Sequence, residues 1–201
     1  MSIFQRAGLA LWASAALLLA ACATQQLTNS WRSPDFAGPP PSKVLVLGLS
    51  SSDASRRIFE DGFSQALGTA GVSAAAAYPQ LPDKGMIPND RLKAALTSSG
   101  AQAVLITRLL KVDQEVSVTP AMPPGRMYGG FYGFYGGAWA ALPPSVDTYK
   151  IFTIETTLWD MRSEKVIWTG TTQGQDVTDV AKATKDLAAV LIAQMKKDGV
   201  I

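Results

Sequence analysis

The chain has 201 residues, 47% hydrophobic and 17% charged, with 18 Lys and Arg against 16 Asp and Glu for a net charge of +2. That balance excludes a disordered tail or a collagen-like fibre, suits one domain with a packed core, and lacks the basic footprint of a nucleic-acid binder. With no histidine and a single cysteine, His-based acid/base relays, Cys–His nucleophiles, zinc sites of the usual kind and internal disulfides are ruled out.

Residues 1–21 read as a secretory signal. Arg6 precedes a charge-free apolar run from Ala7 to Ala21, a basic n-region and an h-region too short for a comfortable membrane span. The run closes on Leu19-Ala20-Ala21-Cys22, which resembles the lipobox of bacterial lipoprotein precursors in all four positions. The resemblance implies cleavage before Cys22, a diacylglyceryl group on its thiol and a fatty acyl group, of the palmitate kind, on the new amino terminus. Each buried methylene contributes about 0.8 kcal/mol and stable anchoring takes two hydrocarbon signals, so three chains would hold the protein on a bilayer. Ala23, rather than Asp, follows the cysteine. By the same resemblance this implies sorting to the outer membrane of a Gram-negative envelope, with the domain facing the periplasm.

Residues 22–42 are polar and turn-rich and end in Pro39-Pro40-Pro41. Proline has no amide donor and a fixed φ, so the segment reads as a stiff tether holding the domain off the bilayer. Trp31 and Phe36 are its two side chains able to pack back. A single domain is expected over 43–201. Lys43-Val44-Leu45-Val46-Leu47-Gly48-Leu49 is a short continuous apolar run, the pattern of a strand buried on both faces. Ser50-Ser51-Ser52-Asp53 offers helix N-caps, and the spacing of Phe59, Phe63, Ala66, Leu67 and Ala70 predicts a helix ended by Gly71. Arg56 and Glu60 read as an exposed i,i+4 pair on it.

Val72 to Tyr78 is expected to be a second strand, and Pro79, Pro82 and Pro88 break the loop after it. Asn89-Asp90 would cap a second helix that Gly100 stops, with Leu92, Ala95 and Leu96 inward. Ala103 to Leu110 is a third apolar run. It continues as an alternation, Leu110, Val112, Val116 and Val118 against Lys111, Asp113, Glu115 and Ser117, the mark of a strand running past its covering helices with one face wet. Tyr149 to Trp159 and Lys165 to Thr172 predict a hairpin turned at 160–164. Asp179 to Lys197 predicts a final helix, with Lys196 and Lys197 near its C-terminal dipole.

The order is β-α-β-α-β-β-β-α. It implies an α/β fold with α+β character, a mixed sheet of about five strands with helices packed against it. It resembles the small α/β domains of bacterial envelope lipoproteins: the curli-secretion lipoprotein, the amino-terminal domain of the Tol-system propeller protein, and a group of uncharacterised outer-membrane lipoproteins. The features carrying this are Lys43-Val44-Leu45-Val46-Leu47-Gly48, the helix around Arg57-Ile58-Phe59-Glu60, Gly100-Ala101-Gln102-Ala103-Val104-Leu105, and Leu158-Trp159-Asp160 through Val166-Ile167-Trp168-Thr169-Gly170. These are architectural, so the resemblance implies a fold and a compartment without an activity.

One constellation stands apart within a loop expected over 120–147. Residues 125–139 hold six of the 17 glycines and six of the 17 aromatics. Glycines and two prolines in the charge-free stretch that follows Arg126 argue against a membrane helix, and glycine weakens a strand. Tyr128, Phe131, Tyr132, Phe134, Tyr135 and Trp139 are the candidate contact residues. Rings with a polar edge settle at membrane–water boundaries and dominate binding hot spots; glycan stacking and a flap folded on its own domain are the other readings. Weaker signals carry less. Gly48-Leu49-Ser50-Ser51-Ser52-Asp53 could hold an anion on its amides but lacks both the GxGxxG and P-loop patterns, and reads as capping. Asp113 with Glu115, and Glu155 with Thr157, share strand faces as solvated groups rather than an acid/base pair, and no SxxK or GxSxG occurs.

The expectation is a non-enzymatic, membrane-anchored interaction or assembly module. It has no catalytic residues, no metal and no cofactor. Its partners are the bilayer, through acylated Cys22, and an envelope protein, with no nucleic acid. The alternatives are an oligomeric secretion or transport component whose loop inserts in the bilayer, and a hydrolase using serine or carboxylate chemistry, for which Asp53, Asp113, Glu115 and Glu155 are the groups to inspect.

Overall fold

A computed structural model describes residues 25–82, 85–119, 145–175 and 178–201. Its elements run β1 (Gln25–Arg32), β2 (Lys43–Leu49), α1 (Asp53–Thr69), β3 (Ser73–Ala76), α2 (Asn89–Ser99), β4 (Ala103–Thr119), β5 (Ser145–Asp160), β6 (Lys165–Gln175) and α3 (Val180–Lys197). The six strands form one mixed sheet in the order β1-β6-β5-β4-β2-β3. The α/β fold class is as expected, with one strand more than the five read from sequence.

The additional strand is β1, inside the segment read as a tether. Gln25–Arg32 pairs antiparallel with β6, from Gln25 against Gly174 to Arg32 against Trp168. The sheet therefore begins at Gln25, not at residue 43. Its first side chain is buried, and a Cβ at Gly174 would collide with it, so glycine lets the two strands close. Phe36 joins the core while Trp31 stays half exposed.

The parallel part, β3-β2-β4, follows from crossover handedness. The chain leaves β2 through α1 to β3 on one side, then returns through α2 to β4 on the other. Right-handed crossovers in opposite directions put their helices on opposite faces. Accordingly Phe63 and Leu67 of α1 pack with Leu187, Leu191 and Met195 of α3 over Val44, Val46, Leu105, Leu158 and Trp168. Ala95 of α2 packs on Leu45, Leu47 and Val104 across the sheet.

Local chemistry sets the helix ends. Ser52 caps α1 by accepting from Ser55 N at 3.3 Å, and Asp179 caps α3 through Lys182 N at 3.0 Å. The cap expected at Asn89-Asp90 is absent: Pro88 occupies the N-cap position of α2 with no side-chain hydrogen bond. Gly100 ends α2 at φ +62°, in the left-handed region that favours glycine.

The longest elements are β4 and β5, paired continuously from Ala103 and Asp160 out to Thr119 and Ser145. β2 stops alongside at Leu49 opposite Arg108, and β6 stops at Gln175 opposite Ile151. Past those points the two strands continue together as a two-stranded ribbon.

Candidate functional site

The C-terminal end of β2 and the middle of β4 meet the N-terminus of α1, where β2 runs out of the parallel part of the sheet, the usual place for a site. The structure here departs from the sequence reading. Arg56 and Glu60 are buried, Glu60 completely, not exposed. Glu60 Oε1 accepts from Arg56 Nε at 2.8 Å and from Gly48 N at 3.1 Å, and its Oε2 accepts from Tyr78 N at 2.6 Å. One carboxylate thus ties α1 to the end of β2 and to the turn after β3. A buried charge is tolerated when it is paired and hydrogen-bonded in this way. A Cβ on Gly48 would stand 2.8 Å from the Phe59 ring, so the strand end approaches the helix closely only as glycine. The signal for this cluster is spacing: Arg56, Glu60, Phe63 and Leu67 lie on one helical stripe, and the last two are core.

Beside this cluster lies an open cleft of about 310 Å³ between the sheet, α1 and the start of α3. Leu49, Phe59, Leu109, Phe152, Ile154 and Leu187 give it apolar walls. The Ser50–Ser52 turn beside it is engaged in its own hydrogen bonds, Ser50 Oγ accepting from Ser52 N at 3.2 Å, in keeping with capping.

The four carboxylates inspected for hydrolase chemistry do not share a site. Asp53 pairs with Arg57 at 3.0 Å, Asp113 with Lys111 at 2.7 Å and Glu155 with Arg108 at 2.7 Å. Glu115 accepts from Tyr149 OH at 2.8 Å. That hydrogen bond, with the repulsion between the carboxylate and a phenolate, holds the Tyr149 phenol above its ordinary value. Each answers to a cationic or phenolic partner of its own and not to a second carboxylate, whereas acid/base work needs a coupled pair. Among the described residues, no group of three or more His, Cys, Asp or Glu is placed to hold a metal ion, and no helix is long and apolar enough to cross a membrane.

The ribbon is the other feature of note. A register shift between Leu109 and Lys111 inserts one extra residue into β4. Beyond it Val112 pairs with Phe152, Gln114 with Lys150 and Val116 with Thr148, so one face carries Val112, Gln114, Val116, Val146, Thr148 and Lys150. The other carries Lys111, Asp113, Glu115, Asp147 and Tyr149. The alternation is as expected from sequence, but both faces are wet: Val112, Val116 and Val146 are 46%, 58% and 61% exposed. Cys22 and the ring-bearing residues Tyr128, Phe131, Tyr132, Phe134, Tyr135 and Trp139 lie outside the described residues. The pairing of Thr119 with Ser145 makes 120–144 the connection at the ribbon's end.

No protein-family model and no curated protein sequence matches the chain. Solved structures do. A PelC dodecamer from Paraburkholderia phytofirmans is similar at 16% identity and a TM-score of 0.45, over 84% of this chain and 95% of that one. Lipoprotein GNA1162 from Neisseria meningitidis is similar at 14% identity and a TM-score of 0.42, over 78% and 99%. A putative neuraminyllactose-binding hemagglutinin homolog from Helicobacter pylori is similar at 14% identity and a TM-score of 0.37, over 81% and 87%. Likenesses this distant concern the course of the chain and leave its role to its own residues.

Proposed function

We propose that the chain is a non-enzymatic envelope lipoprotein, held on the periplasmic side of the outer membrane by acylated Cys22 and acting as an interaction or assembly module. Its contact residues are Tyr128, Phe131, Tyr132, Phe134, Tyr135 and Trp139. The observation that carries this reading is the β4–β5 ribbon, which leaves the shelter of the helices and has the ring-bearing connection 120–144 at its end. A stem with apolar side chains exposed along it, whose two strands are joined by a ring-bearing segment of sequence, suits capture of a partner better than chemistry, since apolar surface and aromatic rings favour contact. The scattered, individually paired carboxylates support the same choice. The resemblance to the curli and Tol lipoprotein domains agrees with this compartment.

The test is crosslinking in the native envelope with residues 125–141 deleted. Partner adducts are expected to disappear while the melting transition stays where it was. An unchanged adduct pattern removes the connection from the mechanism. A second reading, an oligomeric secretion or transport component, is favoured by the main-chain edge of β4 beyond Arg108, which pairs with no strand among the described residues, because unpaired strand edges recruit further strands. Size measurement of the intact protein in detergent separates the two.

A further inference from the structure

The strand registers, with the short chain ahead of β1, limit how far from the ribbon an anchor at Cys22 can lie. Gln25 pairs with Gly174, and Gly174 pairs with Phe152, so β1 begins at the level where the ribbon leaves the sheet. Cys22 precedes Gln25 by three residues, a reach of about 10 Å at full extension. From the level of Phe152 the ribbon runs on through Val146, about 20 Å at strand rise. In the opposite direction β1 carries the body of the domain away over its eight residues, about 25 Å. A lipid held within so short a reach of Gln25 cannot have the body between it and the ribbon. Either the ribbon end points at the bilayer or the sheet lies along it; in both cases the ribbon meets the membrane surface.

The chemistry of the two ribbon faces selects one. The face with Val112, Val116 and Val146 bears a single charged side chain, the cationic Lys150, and no carboxylate, whereas Asp113, Glu115 and Asp147 all sit on the opposite face. The apolar face also runs on from the walls of the cleft, through Leu109 and Phe152. Apolar side chains beside a cation are what the headgroup–acyl boundary accommodates, while carboxylates are repelled by anionic lipid.

We propose that the face of the β4–β5 ribbon carrying Val112, Val116 and Val146 seats in the interfacial layer of the same bilayer that holds acylated Cys22, as a second attachment point that fixes the domain's orientation. This rests on the reading of Cys22 as lipidated. It also replaces the picture of a domain held off the membrane by a stiff tether, because β1 takes Gln25–Arg32 of that segment into the sheet and leaves only residues 22–24 ahead of it.

The experiment uses the full acylated chain in phosphatidylethanolamine–phosphatidylglycerol vesicles containing a nitroxide-labelled lipid. Cys22 is the only cysteine and acylation blocks its thiol, so one introduced cysteine carries one fluorophore. Val116→Cys and Val146→Cys report on the apolar face, Glu115→Cys on the acidic face and Lys165→Cys on the far end of the sheet. Quenching at 116 and 146 is expected to be several-fold stronger than at 165 and stronger than at 115. Equal quenching at 116, 146 and 165 overturns the proposal. So does protection of 116 in detergent that grows with protein concentration, since a second copy would then cover the face. Intact mass separates the two levels: an acylated protein without ribbon quenching sinks the second attachment alone, whereas an unmodified residue 22 sinks the anchor and the proposal with it.

Discussion

The same two strands lead opposite lives along their length. In the inner half of the β4–β5 pair, Leu105 stands opposite Leu158 and both are fully buried under α1 and α3. In the outer half Val116 stands opposite Thr148 and is more than half exposed. The ladder between the two strands runs through both halves, interrupted only by the one-residue bulge at Leu109–Lys111, so their pairing with each other does not distinguish them. What differs is cover: β2, β6 and the helices all stop near the level where the ribbon begins. A strand's β-propensity therefore says little about its contribution to stability, which depends on what packs on its two faces.

That contrast can be broken or sharpened by substitution, with urea denaturation as the readout. The largest effect is expected from Glu60→Ala, which leaves Arg56 buried without its carboxylate and frees the end of β2; losing one partner of a buried ion pair costs about 3–5 kcal/mol. Leu158→Ala, in the inner half, should cost about 3 kcal/mol through lost burial and a residual cavity. Asp160→Asn comes next, at about 1 kcal/mol at neutral pH, and its effect is pH-dependent. Burial raises the Asp160 carboxyl, but hydrogen bonds from Ser163 Oγ and N, together with Arg162, outweigh this and hold it below the usual carboxylate range. A carboxyl depressed in the folded state contributes stability above its unfolded value and loses it as pH falls through the folded one. The gap between wild type and Asp160→Asn should therefore close in acid below that range.

Val116→Ala, in the outer half, is expected to stay within about 0.5 kcal/mol of wild type in detergent solution. If it costs as much as Leu158→Ala, the two halves are not different environments and the contrast fails. The smallest effect is spectroscopic: Glu115→Gln should lower the Tyr149 titration toward the ordinary phenol value, read by ultraviolet absorbance, without a shift in the denaturation midpoint.

Much of this architecture is legible in residue patterns, and the gaps have physical causes. The continuous apolar run 43–49 and the switch to alternation after Leu110 both announce themselves, because burial on two faces and on one leave different periods. β1 does not. Gln25-Gln26-Leu27-Thr28-Asn29-Ser30-Trp31-Arg32 is an edge strand with little to bury, held by main-chain pairing and by Gln25 lying against Gly174, and main-chain pairing leaves no trace in side-chain hydropathy. The Arg56–Glu60 pair deceived for a different reason. An i,i+4 ion pair has the same spacing on a wet face as on a dry one, and only its alignment with Phe63 and Leu67 gives it away. The candidate contact residues stand out by composition alone, which locates rings along the chain without saying what they meet.

The extra residue at Leu109–Lys111 has a last consequence. Before it, odd-numbered β4 residues such as Ala103 and Leu105 look toward α1 and α3; after it, even-numbered ones do. Removing Leu110 alone would excise the bulge and leave both faces of the arm as they are, since Lys111 would then follow Leu109 in plain alternation and Val112 and Val116 would keep the side of α1 and α3. The extra residue thus joins two alternations of opposite parity within one strand, and the polarity of the arm resides in its own sequence and not in the bulge.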